Sequence, residues 1–129
     1  MDQVSPPRRA LILEDEVVIA IDLEQAMYEL GFQTSKLAST PSRAVSLAMN
    51  SKPYIALVDV CLEGGREGIE AARWLREVCE VPVVFVTAYT DADTVERIHD
   101  QVPDAPVLPK VDWRKRLAHA VSEVSARTC

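Results

Sequence analysis

The sequence predicts an α/β fold built on a parallel sheet. Five short apolar runs, Ala10 to Leu13, Gln33 to Ala38, Tyr54 to Val58, Val81 to Val86 and Val107 to Leu108, alternate with five helix-like segments. That alternation is the pattern of strands joined by crossover helices. The first, third and fourth runs are near-continuously apolar, as strands covered on both faces must be, and the second, the most polar, reads as an edge. With 129 residues, 48% of them hydrophobic, the chain can bury a core without disulfides or a structural metal. It is expected to form one domain over residues 1–129, residues 1 to 8 being a disordered lead-in.

The first helix is expected to begin near Glu16 and stop before Gly31, with Val17, Ala20, Leu23, Met27 and Leu30 facing inward at close to 3.6-residue spacing. Thr40-Pro41 reads as an N-cap followed by proline at the first helical position, opening a second helix through Ala44, Leu47 and Ala48 that Lys52-Pro53 ends. A third helix follows Gly68 and packs Ile69, Ala72, Leu75 and Val78 before Glu80-Val81-Pro82 returns the chain to a strand. A fourth follows Thr90 on a thin stripe of Ala92, Val95 and Ile98, which makes it the least firmly docked. The fifth, capped by Asp112, buries Trp113, Leu117, Ala120, Val121 and Val124 and frays over Ser125 to Cys129.

Fourteen basic against twenty acidic residues leave a net charge of −6, which disfavours nonspecific nucleic-acid binding and favours a protein partner. The basic run Arg114-Lys115-Arg116 reads as a solvated helix face. Cys61, Cys79 and Cys129 show neither CxxC nor mixed His/Cys spacing, as expected of reduced thiols in a cytoplasmic protein. The N-terminus has no apolar signal core, and no apolar run is long enough for a membrane span.

Ligands of an open parallel sheet bind beyond the carboxyl ends of its strands. Strand one runs out into Glu14-Asp15-Glu16, strand three into Asp59, strand four into Thr87 and strand five into Lys110. Singly, these are ordinary residues: Asp15 as a helix N-cap, Asp59 as a turn residue, Thr87 as a cap, Lys110 as a solvated charge. All at one end of one sheet, they make a different object. Glu14, Asp15 and Asp59 brought together would repel unless a cation neutralised them. An all-oxygen donor set without histidine suits Mg²⁺ and disfavours zinc. Thr87 and Lys110 are the groups that would hold phosphoryl oxygens, and Asp59, alone at its strand end, is the best-placed nucleophile for an aspartyl phosphate. His99 and His119 fall on expected helices away from these ends and read as surface or packing residues, as Trp74 and Trp113 read as packing.

Taken together these residues make the sequence resemble the receiver domain of bacterial two-component response regulators, of the stand-alone, CheY-like kind. The resemblance is carried by Leu11-Ile12-Leu13-Glu14-Asp15-Glu16, Ala56-Leu57-Val58-Asp59-Val60 with Gly64, Gly65 and Gly68-Ile69-Glu70, Val81-Pro82-Val83-Val84-Phe85-Val86-Thr87-Ala88, and Lys110. It implies a flavodoxin-like, doubly wound sheet of order 2-1-3-4-5 with five helices. It implies that Asp59 is phosphorylated by a histidine kinase or phosphotransfer protein. It implies Mg²⁺ on Glu14, Asp15, Asp59 and the backbone carbonyl of Cys61, with Thr87 and Lys110 on the phosphoryl oxygens. The protein would be a switch and not an enzyme, acting on a downstream protein through helix four, strand five and helix five, with a homodimer left open and no direct contact to nucleic acid or membrane.

Three features depart from the family pattern. Pro109 precedes Lys110 and Val111 follows it, so the cis peptide common after the lysine is not expected. Val107 stands where an aromatic switch residue is usual, and Tyr89 is the nearest aromatic that could respond to Thr87. Pro106 and Pro109 shorten and distort strand five. Two other readings share these residues. One is a receiver-like module that acts without phosphorylation. The other is a small phosphoaspartyl hydrolase, which needs a second acid and a substrate cap for which the length leaves little room.

Overall fold

A computed structural model of the chain describes residues 8–62 and 67–127. Residues 1–7 of the expected lead-in, Gly64, Gly65 and Cys129 lie outside the described residues, whereas Arg8, expected in the lead-in, is held by its carbonyl accepting from the Gln33 N–H at 3.1 Å. The strands are β1 (Arg9–Leu13), β2 (Thr34–Ala38), β3 (Ile55–Val58), β4 (Val83–Thr87) and β5 (Val107–Pro109). The helices are α1 (Val17–Glu29), α2 (Pro41–Asn50), α3 (Glu67–Glu77), α4 (Ala92–Gln101) and α5 (Trp113–Arg127). All strand pairs are parallel, in the order β2-β1-β3-β4-β5, the flavodoxin-like arrangement that the resemblance implied. β5 is three residues long, and every described peptide bond is trans.

Alternation along the three central strands divides the core in two. Ala10 and Ile12, Ile55 and Leu57, Val84 and Val86 face α1 and α5, where they meet Leu23, Met27, Trp113, Leu117 and Val121. Leu11 and Leu13, Ala56 and Val58, Val83 and Phe85 face the other side, against Ala44, Ala48, Ala72, Leu75 and Ile98. Successive strand residues point to opposite faces, so near-continuous apolar sequence is what a sheet covered on both sides requires.

Helix starts and stops follow local chemistry. Thr40 Oγ1 accepts from the Arg43 N–H at 3.2 Å with Pro41 at the first helical position, and Gly31 takes a φ of +99° where α1 ends, a conformation glycine adopts without strain. Asp91 caps α4 twice: Oδ2 accepts from the Thr94 N–H at 3.1 Å, and Oδ1 from the Thr94 hydroxyl at 2.9 Å.

Several inward assignments need correction. Ala20, Leu23 and Met27 of α1 are buried as expected, with Ala26 beside them, but Val17 at the start of the helix is 69% exposed and Leu30 past its end also faces out. Val78 lies exposed beyond the end of α3; the chain turns there through Glu80, which holds a φ of 58°, and the Val81 N–H returns to the Leu75 carbonyl at 3.0 Å. α4 buries Thr94 and Ile98 while Ala92 is exposed: the doubly bonded threonine takes the inward place expected of the alanine. Asp112 does not cap α5 with its side chain, whose Oδ2 lies 3.4 Å from Arg116 Nε and whose Oδ1 makes no hydrogen bond; its backbone carbonyl accepts from the Lys115 N–H instead.

Gly68 stands inside α3, and it is the residue that lets this helix approach β3. Its N–H donates to the Val60 carbonyl at 3.0 Å. A Cβ there would overlap the Asp59 carbonyl oxygen and lie 2.7 Å from that of Val60. Backbone cannot yield as a side-chain tip can, so Gly68→Ala is expected to destabilise the fold by about 1–3 kcal/mol through overpacking. Urea unfolding measures this; a variant as stable as the parent would contradict the close approach.

Candidate functional site

Sheet register delivers four side chains, those of Glu14, Asp59, Thr87 and Lys110, to one edge. Leu13 pairs with Val58 and Val58 with Phe85, so Glu14, Asp59 and Thr87 all emerge at the carboxyl end. Main-chain bonds extend this order past the strands: the Glu14 N–H donates to the Ala38 carbonyl at 3.0 Å, Asp59 N–H to Leu13 at 2.9 Å and Lys110 N–H to Thr87 at 2.9 Å.

Oxygens of Glu14, Asp15 and Asp59 come within 4.8 Å of one another. Glu14 and Asp59 are buried and Asp15 is exposed. The sequence also allowed a plain N-cap reading of these acids. The N-cap of α1 is in fact Glu16, which makes no side-chain cap hydrogen bond.

Lys110 binds the cluster together. Its Nζ lies 3.1 Å from Asp59 Oδ2, 3.2 Å from Glu14 Oε1 and 3.0 Å from Glu16 Oε1, and its side chain is only 13% exposed. Burial is the largest influence on the lysine and lowers its pKa, but the Glu16 hydrogen bond and the charges of Asp59 and Glu14 together hold it above the ordinary lysine value. Glu14 is pushed up to about 7, first by burial and then by the Asp59 charge, against the Glu16 N–H and the Lys110 ammonium. Its Oε1 makes no directed hydrogen bond, although the ammonium is near. A buried carboxylate oxygen left so, beside two more acids, is a donor set into which a hard divalent cation fits.

Around the acids, Asp59 Oδ1 accepts from the Cys61 N–H at 3.3 Å. The Thr87 hydroxyl oxygen accepts from the Tyr89 N–H at 3.0 Å, which leaves its own proton to donate. Thus Glu14, Asp15, Asp59, Cys61, Thr87 and Lys110 all lie at the edge where the sequence put them. His99 and His119 are exposed on α4 and α5. Burial pushes the Cys79 thiol up, against the Lys52 charge.

A similarity search over protein families matches residues 10–119 to the response regulator receiver domain. The chain belongs to that family. It is 43% identical over 82 residues to the phyllosphere-induced regulator PhyR of Methylorubrum extorquens, covering 63% of this chain and 31% of that protein. It is 38% identical over 94 residues to the transcriptional regulatory protein PdtaR of Mycobacterium tuberculosis, covering 73% of this chain and 45% of that protein. This receiver domain therefore spans less than half the length of either relative. Among solved structures, the signal receiver domain of a modulated diguanylate cyclase from Desulfovibrio desulfuricans superposes with a TM-score of 0.83 at 28% identity, over 95% of this chain and 96% of that one. No helix among the described residues is long and apolar enough to cross a membrane.

Two features of the site went unread in the sequence. One is Glu16, third acid of the first run, as a partner of Lys110. The other is the apolar rim: Val17, Val18 and Ile21 face outward from the start of α1, and Val111, next to Lys110, is 94% exposed. Their signal was the excess of apolar positions in α1, more than one buried stripe can use.

The raised Glu14 pKa sets a pH dependence. A carboxyl with a higher pKa folded than unfolded holds its proton more tightly in the folded state. Its contribution to stability is full below pH 4.5 and is lost as pH climbs to about 7. In chelator, the parent should lose up to about 3 kcal/mol of unfolding free energy across that window relative to Glu14→Gln. Urea titrations at both ends measure it, and parallel slopes for the two proteins would refute the raised pKa.

Proposed function

We propose that this receiver domain is a phosphoacceptor switch: Asp59 takes a phosphoryl group from the phosphohistidine of a kinase or phosphotransfer protein, and the phosphorylated form is read by a second protein. The observation that carries this reading is the ammonium of Lys110 lying 3.1 Å from the carboxylate of Asp59. A cation held there stands ready for the charge that a phosphoryl group brings. In the proposed step an Asp59 oxygen forms the new O–P bond as the N–P bond of the donor breaks. The N–P electron pair stays on the departing nitrogen, and the ring, already protonated on its other nitrogen, leaves as neutral imidazole.

Glu14, Asp15 and Asp59, with the backbone carbonyl of Cys61, would hold Mg²⁺. When bound it supplies charge neutralisation for the carboxylates and the phosphoryl oxygens. Lys110 and the Thr87 hydroxyl hold the remaining phosphoryl oxygens. Val17, Val18, Ile21 and Val111 would lie under the phosphodonor, excluding water from the transfer. Readout would run from Thr87 through Tyr89 to α4, then over the surface of α4, β5 and α5. Supporting this route, the Tyr89 N–H already rests on the Thr87 hydroxyl, and α4 buries only Thr94 and Ile98. The relatives PhyR and PdtaR are regulators by name, consistent with a cytoplasmic switch and not an enzyme.

With Mg²⁺ and acetyl phosphate, intact mass should show one phosphoryl group on the parent and none on Asp59→Asn or in chelator. Modification of Asp59→Asn to the parent's extent would remove Asp59 as the acceptor, and a parent that takes no phosphoryl group would favour the reading without phosphorylation. Lys110→Ala should keep Mg²⁺ binding, since an ammonium cannot ligate the ion, yet lose the change in amide exchange over Tyr89 and residues 90 to 101 that phosphorylation brings. An undiminished change in that variant would remove Lys110 from the switch.

A further inference from the structure

Glu16 makes the shortest of the contacts on Lys110 Nζ, 3.0 Å, yet stands outside the group of carboxylates able to share one ion. Its place in the chain is unusual. It is the N-cap of α1, with φ −89° and ψ 108°, where Ser, Thr, Asp and Asn are favoured because a short side chain can turn back onto the helix amides. Glu16 makes no such cap. Its carboxylate reaches instead to a lysine 94 residues away in sequence. Its backbone is held from the site itself, the Glu16 N–H donating to Glu14 Oε2 at 3.1 Å.

Resting on the phosphoacceptor reading, we propose that Glu16 is a positioning residue for Lys110, holding one ammonium N–H while the others are released to phosphoryl oxygens. An ammonium has three donors, and here they are shared among Glu14, Asp59 and Glu16. A divalent cation on Glu14, Asp15 and Asp59 takes up the negative charge of two of these partners and repels the ammonium itself. Phosphorylation then converts the Asp59 carboxylate into an acyl phosphate. Glu16, 62% exposed and outside the cluster, takes part in neither event. It anchors the lysine at the edge of the site when the other two acids no longer do so. Because the glutamate is largely solvated, the effect is modest, about two- to fivefold in rate.

The test is a double-mutant cycle of Glu16→Gln and Lys110→Ala, reading phosphorylation by acetyl phosphate at saturating Mg²⁺. Glu16→Gln should slow phosphorylation about two- to fivefold with Lys110 present and leave it unchanged in Lys110→Ala. Equal slowing in both backgrounds is the mark of a general field effect and overturns the positioning role, as does no slowing in either. A second measurement needs no phosphate. In the Mg²⁺-loaded protein the Lys110 ammonium should give a slowly exchanging ¹⁵N signal that Glu16→Gln loses. If the parent takes no phosphate, the phosphoacceptor reading fails by itself, and this signal decides on Glu16: its persistence in Glu16→Gln overturns the proposal.

Discussion

Everything at the carboxyl edge of this sheet depends on one ammonium placed among buried carboxylates. Glu14 and Asp59 are both withdrawn from water, and two like charges so close would drive one of them to bind a proton. Lys110 offsets part of that cost, and it can do so only because β5 ends where it does. Its backbone N–H is fixed to the Thr87 carbonyl, so the side chain starts at a set height above the strands and reaches all three acids at 3.0–3.2 Å. The balance is incomplete. Glu14 is still pushed up to about 7, so the site retains an electrostatic demand that a divalent cation would meet.

The same edge is held unequally by the helices around it. α5 is fixed to the sheet by Trp113, Leu117, Ala120, Val121 and Val124. α4 buries Thr94 and Ile98, and its end of the fold is tied to α3 by polar contacts at the surface, Arg76 to Asp104 at 2.9 Å and Arg73 to Gln101 at 3.3 Å. Exposed ion pairs contribute little, whereas five buried apolar side chains contribute several kcal/mol. A small movement at Thr87 is thus more easily taken up by α4 than by α5.

What the sequence made legible, and what it hid, follows one physical division. The central strands could be read because parallel strands buried on both faces must be apolar at every position, as Leu11 to Leu13 and Val83 to Val86 are. The acids and Lys110 could be placed because strand ends in a parallel sheet share one edge. On α1 the inward Ala20, Leu23 and Met27 were legible, but Val17 was placed inside with them because two apolar sets coexist there, the other being Val17, Val18 and Ile21 outside. Periodicity alone does not say which set meets the sheet. Contacts such as Glu16 to Lys110 join residues 94 apart, and no local pattern encodes them. Gly68 was read as the residue before a helix; its close approach to the Asp59 backbone shows only when β3 and α3 are seen together.

The outward valines complete the argument about the site. If Asp59 is phosphorylated as proposed, an acidic pocket on a chain of net charge −6 does not attract the donor's phosphoryl group by long-range charge, since pocket and phosphoryl group are both anionic. In that reading recognition would draw on surface burial near the site, for which the exposed Val17, Val18, Ile21 and Val111 offer apolar area. Covering that rim would also remove water from above Asp59, and each contact between Lys110 and its acceptors strengthens as the surrounding dielectric falls. In this reading docking and chemistry are coupled: the surface that selects a partner is the one whose burial makes the ammonium most effective.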